Sequence, residues 1–321
     1  MDDETTHIPV LYNEVLELLR PKPNGRYIDG TLGAGGHTVG ILEASAPEGR
    51  VLAFDRDPEA IRFTQKRLQQ YSDRITYVNA NYAKMGKLAA NEGFVEVDGI
   101  LLDLGLSSRQ LANGQRGFSF IKEGPLDMRF DTTGGSTAAD LLNNLTESEL
   151  SEVLWRYGEV RQNRRIARLI VEHRPFETTT ELAELIATHV RRKGRIHPAT
   201  QVFQAVRIAV NQELDAVEQG VEAAINLLRP GGRLAVISFH SLEDRFVKRF
   251  FRDLSRDCIC PPQQPICNCG GQAVLKLVNR KAVKAGEQEI DGNPRSRSAR
   301  LRVVEKAQNT DSKISRANIS Q

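Results

Sequence analysis

Short apolar runs alternate with amphipathic segments over the first hundred residues, and most of the runs end in a polar residue. Apolar runs of this length, separated by segments with helical spacing, are typical of a parallel sheet with crossover helices. The predicted strands of this part are residues 26–29, 51–55, 75–78 and 99–104. Residues 57–70, between the second and third strands, have helical spacing and a proline near their start, which predicts a helix.

The alternation stops after Leu104 and returns near the end of the chain. A glycine-rich stretch over residues 114–135 leads into a helical pattern over residues 138–228. Thr146 with Glu149, and Thr178 with Glu181, fit the capping box and predict two helix starts in this block. A Pro-Gly-Gly turn then precedes an apolar run. The predicted strands of the last part are residues 234–239 and 299–304.

This pattern predicts an α/β domain that is interrupted by a helical insertion. We assign residues 1–112 and 213–305 to the α/β domain and residues 113–212 to an inserted helical domain that recognises the substrate. The polar segment 306–321 is predicted to be a disordered tail, because it offers few apolar side chains to bury.

Composition narrows the class of protein. The chain has 321 residues with 44 Lys+Arg against 41 Asp+Glu, so any attraction to nucleic acid must come from local basic patches. It contains no apolar run of membrane-spanning length, and its acidic start is unlike a signal peptide. The four cysteines all lie between Cys258 and Cys269, too close together to staple a fold of this size. We expect a cytoplasmic protein and leave its oligomeric state open.

The segment "YIDGTLGAGGHT", residues 27–38, places four glycines in a loop directly after the first predicted strand. Glycine lets a backbone approach a ligand closely. Gly30 and Gly35 have the spacing of a phosphate loop, but the lysine that this loop requires is absent. Gly33 and Gly35 begin a dinucleotide-binding pattern whose third glycine is replaced by Thr38. The loop therefore matches neither motif, and a turn without a ligand remains an alternative.

Acidic residues at the ends of the predicted strands point to a different ligand. Asp29, Asp55 and Asp103 each end a strand, and ligands of such sheets lie at the carboxyl ends of the strands. Asp55 is also suitably placed to accept hydrogen bonds from the ribose hydroxyls of an adenosine. Three carboxylates disfavour a pyrophosphate and favour a cation. We therefore predict S-adenosylmethionine as the ligand, although such aspartates can also cap the following helix.

Eight motifs, taken together and in order, resemble one family. They are "HIPVLYNEVLELL", "YIDGTLGAGGHT", "DGILLDLGLSS", "RGFSF", "GPLDMRFD", "HPATQVFQAVRIAVNQEL", "GGRLAVISFHSLEDR" and "NPRSRSARLRV". The chain resembles the bacterial 16S ribosomal RNA (cytosine-N4)-methyltransferases over nearly its whole length, apart from the tails and the cysteine segment. The resemblance implies a class I S-adenosylmethionine-dependent methyltransferase (Rossmann-like) fold with an inserted all-helical domain. It also implies a cytosine in the decoding centre as substrate, with 16S rRNA or the small ribosomal subunit as partner.

The resemblance also implies a set of cofactor contacts. In this family Asp55 would bind the ribose, and Tyr82 would lie against the adenine, where many members have Phe. The implied cofactor-binding residues are Gly35, Gly36, His37, Asp55, Tyr82, Asp103 and Gln110.

Asp103 is the candidate catalytic residue. The cytosine N4 amine is a poor nucleophile, so it must be held in line with the methyl group and needs an acceptor for its proton. Base amino-methyltransferases commonly use an Asn/Asp/Ser-Pro-Pro-aromatic tetrad, whereas residues 103–106 here are Asp-Leu-Gly-Leu. Asp103 is predicted to be the acceptor, and the alternative is that it binds only the amino group of the cofactor.

Basic and aromatic side chains are candidates for RNA contacts. Arg195, Arg295 and Arg297 lie in two basic segments and are predicted to contact phosphates, since arginine binds phosphate through two hydrogen bonds. Phe118, Phe120 and Phe130 follow Asp103 and can either stack on a flipped base or pack in the core. We predict no metal for the reaction. Whether Cys258, Cys260, Cys267 and Cys269 bind a structural zinc ion is left open.

Three other functions remain open at this point. A nicotinamide-dependent oxidoreductase would need the complete dinucleotide motif. A non-catalytic RNA-binding assembly factor would be expected to have lost Asp55, Asp103 or the glycine loop. A methyltransferase acting on DNA, protein or a small molecule is not distinguished by composition.

Overall fold

The computed structural model describes residues 9–191, 197–258, 260 and 272–308. The chain divides into two compact units. The first is Met1–Gly105 with Ala216–Gln321, and the second is Leu106–Asp215. The predicted domain boundaries, at 112/113 and 212/213, therefore lie seven residues after and three residues before the boundaries of these units. No helix of the described residues combines the length and apolar character needed to cross a bilayer.

The first unit contains a seven-stranded sheet in the order β3-β2-β1-β4-β5-β7-β6. Strands β1 to β5 are parallel, and β7 pairs antiparallel with both β5 and β6. The strands are β1 (Arg26–Asp29), β2 (Arg50–Asp55), β3 (Ile75–Asn79), β4 (Val97–Asp103), β5 (Leu228–Ser238), β6 (Leu275–Leu277) and β7 (Arg300–Lys306). The predicted parallel sheet is confirmed, and β6 is a strand that the sequence pattern did not predict.

Helices cover both faces of this sheet, so the strands are apolar on both sides. Ile28 and Leu52 pack on one face with the helices of residues 85–91, 213–227 and 241–254. Tyr27 and Val51 pack on the other face with the helices of residues 12–19, 36–44 and 58–67. The helices of the chain are α1 (Tyr12–Leu19), α2 (Gly36–Ala44), α3 (Pro58–Arg67), α4 (Met85–Asn91), α5 (Ser108–Ala112), α6 (Ala138–Asn144), α7 (Glu147–Gly158), α8 (Asn163–Glu172), α9 (Thr179–His189), α10 (Ala199–Asn211), α11 (Glu213–Leu227), α12 (Ser241–Leu254) and α13 (Glu287–Gly292).

Two details near the chain end correct the sequence prediction. The Pro-Gly-Gly turn predicted before β5 lies inside that strand, where the register with β4 shifts between Val97 and Gly99 and Gly231 has a φ of 75°. The strand therefore begins at Leu228 rather than at residue 234. The predicted disordered tail began at Lys306, but this residue ends β7 and its Nζ donates to the Leu228 carbonyl oxygen at 2.7 Å.

The second unit is built from α5 to α10 around its own apolar core. Both predicted capping boxes are confirmed at the starts of α7 and α9. Phe118 and Phe130 stack with their ring centroids 5.5 Å apart and pack in or against this core, as Phe120 does. Core packing is therefore what the structure shows for these three rings.

Candidate functional site

The carboxyl ends of β1, β2 and β4 carry the three aspartates that the sequence analysis singled out. Asp29, Asp55 and Asp103 are the last residues of these strands, and β1 pairs with both β2 and β4. The three side chains therefore lie at one edge of the sheet, as the parallel arrangement requires.

Asp29 has a structural role in this group. Its side chain is 1% exposed, and both of its oxygens accept hydrogen bonds from the glycine loop. Oδ1 accepts from the Thr31 backbone N–H at 3.0 Å, and Oδ2 accepts from the Thr38 hydroxyl at 2.6 Å. Thr31 in turn accepts a hydrogen bond from the Asp103 backbone N–H at 2.6 Å. Asp29 thus fixes both ends of the loop, a role that the sequence analysis missed.

The glycine loop is held against α3 on its other side. The Gly33 carbonyl oxygen accepts from the Thr64 hydroxyl at 3.0 Å, and the Ala34 carbonyl oxygen accepts from Arg67 Nη1 at 2.6 Å. Gly35 precedes α2 with a φ of 78°, and a Cβ there would lie 2.6 Å from Thr64 Cγ2. Both the backbone angle and the space therefore require glycine at this position.

Asp55 is oriented by two backbone groups. Gly33 N–H donates to its Oδ2 at 2.8 Å, and Asp57 N–H donates to its Oδ1 at 2.9 Å. Burial raises its pKa to about 6, although these two hydrogen bonds act in the opposite direction. Each carboxylate oxygen has a second lone pair, so the group can still accept a hydrogen bond from a ligand hydroxyl.

Asp103 is the aspartate with unused hydrogen-bonding capacity. Its Oδ1 is enclosed and has no hydrogen-bond partner among the described residues. Its Oδ2 lies 3.7 Å from Nε2 of His37, which is the second residue of α2 and is 6% exposed. Burial, together with repulsion by Asp29, raises the pKa of Asp103 to about 8, although the nearby Arg295 charge acts in the opposite direction. Acidic side chains outnumber basic ones at this site, and a bound cation would reduce the repulsion between their ionised forms.

Tyr82 begins a 3₁₀ turn, Tyr82–Lys84, directly after the end of β3. Asn81 caps this turn by accepting a hydrogen bond from the Ala83 N–H at 3.0 Å. The Tyr82 ring packs closely on α11, where a Cβ added at Gly220 would lie 2.3 Å from Tyr82 Cδ2. A glycine in the middle of a helix therefore provides the space that this ring occupies.

Replacing Gly220 by Ala tests whether the position of the Tyr82 ring matters for binding of the cofactor. Alanine gains about 1 kcal/mol of helix propensity, but its methyl group must displace the Tyr82 ring. We expect the free energy of unfolding to change little and the affinity for S-adenosylmethionine to fall about tenfold, an order of magnitude set by one displaced ring contact. Calorimetric titration and chemical denaturation measure the two quantities.

Gly86→Ala is the matched control for this substitution. Gly86 also lies in a helix, and its added Cβ would lie 3.6 Å from Ala223 Cβ, which is ordinary van der Waals contact. We expect unchanged cofactor affinity in Gly86→Ala. Equal affinities of both variants would show that the Tyr82 ring does not contact the ligand.

Gln110 belongs to the second unit, where it completes a capping box at the start of α5. Its side-chain Oε1 accepts a hydrogen bond from the Ser107 backbone N–H at 3.1 Å, and its backbone N–H donates to the Ser107 hydroxyl at 3.2 Å. The spacing of Ser107 and Gln110 is the signal from which this cap could have been predicted. The structure leaves the predicted cofactor contact of Gln110 as a prediction.

Of the three arginines predicted to contact RNA, two lie in the described part of the chain. Arg195, like Cys267 and Cys269, lies outside the described residues. Arg295 and Arg297 lie in the 3₁₀ turn Pro294–Ser298, which leads into β7. Because Arg300 of β7 pairs with Ser238 at the carboxyl end of β5, this turn lies at the same edge of the sheet as Asp103.

One feature of the first unit was not predicted at all. His240 caps α12, and its Nε2 lies 3.0 Å from Oε1 of the fully buried Glu243. Glu243 also raises the pKa of Asp103, so this cap is part of the electrostatic environment of the candidate site. The capping-box spacing of His240 and Glu243 is present in the sequence, with histidine in the usual place of Ser or Thr.

Comparison with known proteins gives the family. The profile of the MraW methylase family matches residues 4–307. The chain belongs to the MraW methylase family. It is 53% identical over 306 residues to ribosomal RNA small subunit methyltransferase H of Thermomicrobium roseum, covering 94% of each chain. It is 50% identical over 307 residues to the protein of the same name in Geobacter sulfurreducens, covering 94% of this chain and 99% of the relative.

The solved structures that align with this chain have much lower sequence identity to it. A putative rRNA-methylase from Clostridium thermocellum aligns with a TM-score of 0.41 and 13% identity, covering 92% of this chain and 94% of that one. The N-methyltransferase NodS from Bradyrhizobium japonicum aligns with a TM-score of 0.38 and 12% identity, with the same two coverages.

The fold of this methylase is the class I, Rossmann-like fold that was predicted, and S-adenosylmethionine is its cofactor. The residues described above fit this cofactor. It carries a sulfonium and an ammonium group, and the site offers an enclosed carboxylate oxygen on Asp103 that has no hydrogen-bond partner in the described part of the chain. Membership of a methylase family also removes the oxidoreductase alternative.

Proposed function

We propose that this chain methylates N4 of a cytosine in the decoding centre of 16S rRNA, with Asp103 as the acceptor of the amine proton. The observation that carries the chemistry is the Asp103 carboxyl group at the edge beside the glycine loop, which has a pKa of about 8 and one oxygen without a hydrogen-bond partner among the described residues. The names of the curated relatives support an RNA of the small ribosomal subunit as substrate.

Three of the residues proposed to hold the cofactor are Asp55, Tyr82 and Asp103. Asp55 would accept hydrogen bonds from the ribose, the Tyr82 ring would pack on the adenine, and Asp103 would face the positively charged end. The remaining proposed contacts are Gly35, Gly36, His37 and Gln110. When bound, S-adenosylmethionine supplies an electrophilic methyl group on a sulfonium.

Asp103 has the protonation chemistry that the reaction needs. The lone pair of a cytosine amine is delocalised into the ring, and an acceptor on an N–H directs electron density towards the methyl group. A bound cationic cofactor would lower the pKa of Asp103 and keep its carboxylate ionised, so that the group can accept the released proton and pass it to solvent. Positioning of the base is the other requirement, and the second unit, predicted to recognise the substrate, is proposed to supply it.

Arg295 has a proposed function beyond phosphate binding. Its charge lowers the pKa of Asp103, so it keeps more of this carboxyl group ionised at neutral pH. In Arg295→Gln we expect the acidic limb of the kcat/KM profile to move to higher pH, with activity at pH 7 reduced about threefold. The measurement is the pH dependence of methyl transfer under single-turnover conditions.

Arg297→Gln serves as the control, since Arg297 is an exposed residue of the same 3₁₀ turn. Its loss should weaken RNA binding without moving the profile. If both variants change only the KM for RNA, Arg295 is a phosphate contact and has no effect on Asp103.

The proposed substrate is tested by transfer of a labelled methyl group to small subunits, and separately to protein-free rRNA, from a strain that lacks the enzyme. We expect the label in 16S rRNA, at N4 of one cytosine, and mapping of the modified base identifies it. Label in ribosomal protein, DNA or a different base atom would contradict the proposal. Binding of RNA without transfer would favour the non-catalytic assembly factor.

A further inference from the structure

A cavity of about 350 Å³ opens at the amino ends of the central strands, at the edge of the sheet opposite Asp103. Its walls include Tyr27 of β1, Asp98 of β4 and Arg233 of β5. Asp103 follows Asp98 by five positions along β4, which is about 16 Å of extended chain. The cavity therefore lies too far away to be part of the cofactor site.

The two acidic side chains of this cavity are already paired. Arg229 Nε donates to Oδ1 of Asp98 at 2.7 Å, and the Arg26 backbone N–H donates to its Oδ2 at 2.9 Å. Arg233 donates through Nε and Nη2 to Oε2 of Glu305 at 3.0 and 2.9 Å. The charges of both acids are therefore balanced by these two arginines.

Two further cations at the cavity have no acidic partner among the described residues. Arg20 follows the last residue of α1 in a left-handed conformation, and Lys22 follows two residues later. Both side chains are exposed. With the four arginine and lysine side chains set against two acids, the cavity has an excess of two positive charges.

A buried hydroxyl group adds a neutral donor. Tyr27 is 1% exposed, and its hydroxyl oxygen accepts a hydrogen bond from the Lys22 backbone N–H at 2.7 Å. Burial raises the pKa of Tyr27, so the phenol keeps its proton at neutral pH. A Cβ at Gly25 would lie 2.5 Å from this hydroxyl oxygen, so glycine leaves room for it. The O–H is thus available to donate to a ligand.

We propose that this cavity binds a backbone phosphate of the RNA substrate, through Arg20, Lys22 and the Tyr27 hydroxyl. The inference rests on the proposed function in that the polyanion is ribosomal RNA. The chain carries a formal net charge of only +3, so its attraction to RNA has to come from local excesses of charge such as this one. A site about 16 Å from the reacting edge suits an extended polyanion, because RNA that passes around the outside of the unit can reach both edges.

The test compares the salt dependence of RNA binding between the wild type and the double variant Arg20→Gln/Lys22→Gln. Loss of a phosphate contact lowers the slope of log affinity against log salt by somewhat less than one, so we expect a decrease of about 0.8 for the one phosphate of this site. If the two affinities are equal at 1 M monovalent salt, this corresponds to an affinity about sixfold weaker at 0.1 M. Affinity for S-adenosylmethionine should stay unchanged, which shows that the variant is folded.

Lys248→Gln/Arg249→Gln is the matched control, because it removes two exposed cations from α12 of the same unit. We expect it to keep the wild-type slope. An equal decrease of this slope in both double variants would contradict the proposed phosphate site, because the affinity would then depend only on the total charge of the protein. An unchanged slope in Arg20→Gln/Lys22→Gln would overturn it as well.

Two further comparisons complete the test. One distinguishes a phosphate of RNA from a free phosphate ion, and the other distinguishes failure of this inference from failure of the proposed function. If inorganic phosphate binds this cavity in the wild type while the RNA slope is the same in both proteins, the site serves a small anion and the RNA proposal is wrong. If the wild type methylates rRNA and the slopes are equal, only this inference fails. If the wild type neither binds nor methylates rRNA, the proposed function fails and this inference fails with it.

Discussion

Asp103→Asn is expected to reduce kcat for methyl transfer about 10³-fold, within the range that loss of a general base produces. Asparagine keeps the shape of the side chain but cannot accept a proton at neutral pH. The enclosed Oδ1 atom, which has no partner in the described part of the chain, identifies this side chain as one with a contact still to make. Steady-state kinetics with rRNA or small subunits measure the effect.

Asp55→Asn separates the two roles left open for Asp103. Asp55 is oriented by backbone N–H groups of Gly33 and Asp57, and its proposed partner is a ribose far from the reacting atoms. Its loss should raise the KM for S-adenosylmethionine with kcat within about tenfold of the wild type. If Asp103→Asn shows this same pattern, Asp103 binds the cofactor and does not take the proton.

Asp103→Asn should also have a higher free energy of unfolding than the wild type at alkaline pH. Burial raises the pKa of Asp103 to about 8, so the folded state holds its proton more tightly than the unfolded chain does. This contribution to stability is complete below pH 4 and is lost as the pH rises through 8. Asp103→Asn removes the cost of the buried charge, which we expect to be several kcal/mol at pH 9, at about 1.4 kcal/mol for each unit by which the pKa is raised. Denaturation at pH 4 and pH 9 measures the difference.

The grouping of the three aspartates at one edge of the sheet could be predicted from the sequence, because the patterns that indicate it are local. Each central strand is a short apolar run closed by an acid, and parallel pairing places such ends together. The capping boxes of α7 and α9 are equally local, since four consecutive residues determine them.

The remaining features depend on pairing between distant segments. Arg295 comes to the edge near Asp103 only because β7 runs antiparallel to β5, and a strand pattern does not show its direction. The role of Asp29 depends on a loop that folds back to bring Thr31 and Thr38 to one side chain. Strand β6 has three residues, too few for an alternating pattern to be recognised.

Binding of S-adenosylmethionine is expected to strengthen as the pH rises from 6 to 8 and to level off above 8. Without ligand, the pKa of Asp103 is raised to about 8 and that of Asp55 to about 6, because both are buried in an acidic cluster. A bound cation favours the ionised carboxylates and lowers these pKa values. Below pH 8 binding must therefore release a proton, and the affinity can fall by up to about tenfold per pH unit.

Calorimetric titration at pH 7 in two buffers with different ionisation enthalpies counts the released protons, and we expect between about half a proton and one. S-adenosylhomocysteine lacks the sulfonium charge but keeps the ammonium group, so its affinity should depend less on pH. In Asp103→Asn the proton release should largely disappear, because the titrating group with the highest pKa at this edge is gone. Equal affinity at pH 6 and pH 8 in the wild type would contradict the idea that an unbalanced acidic cluster selects the cationic methyl donor.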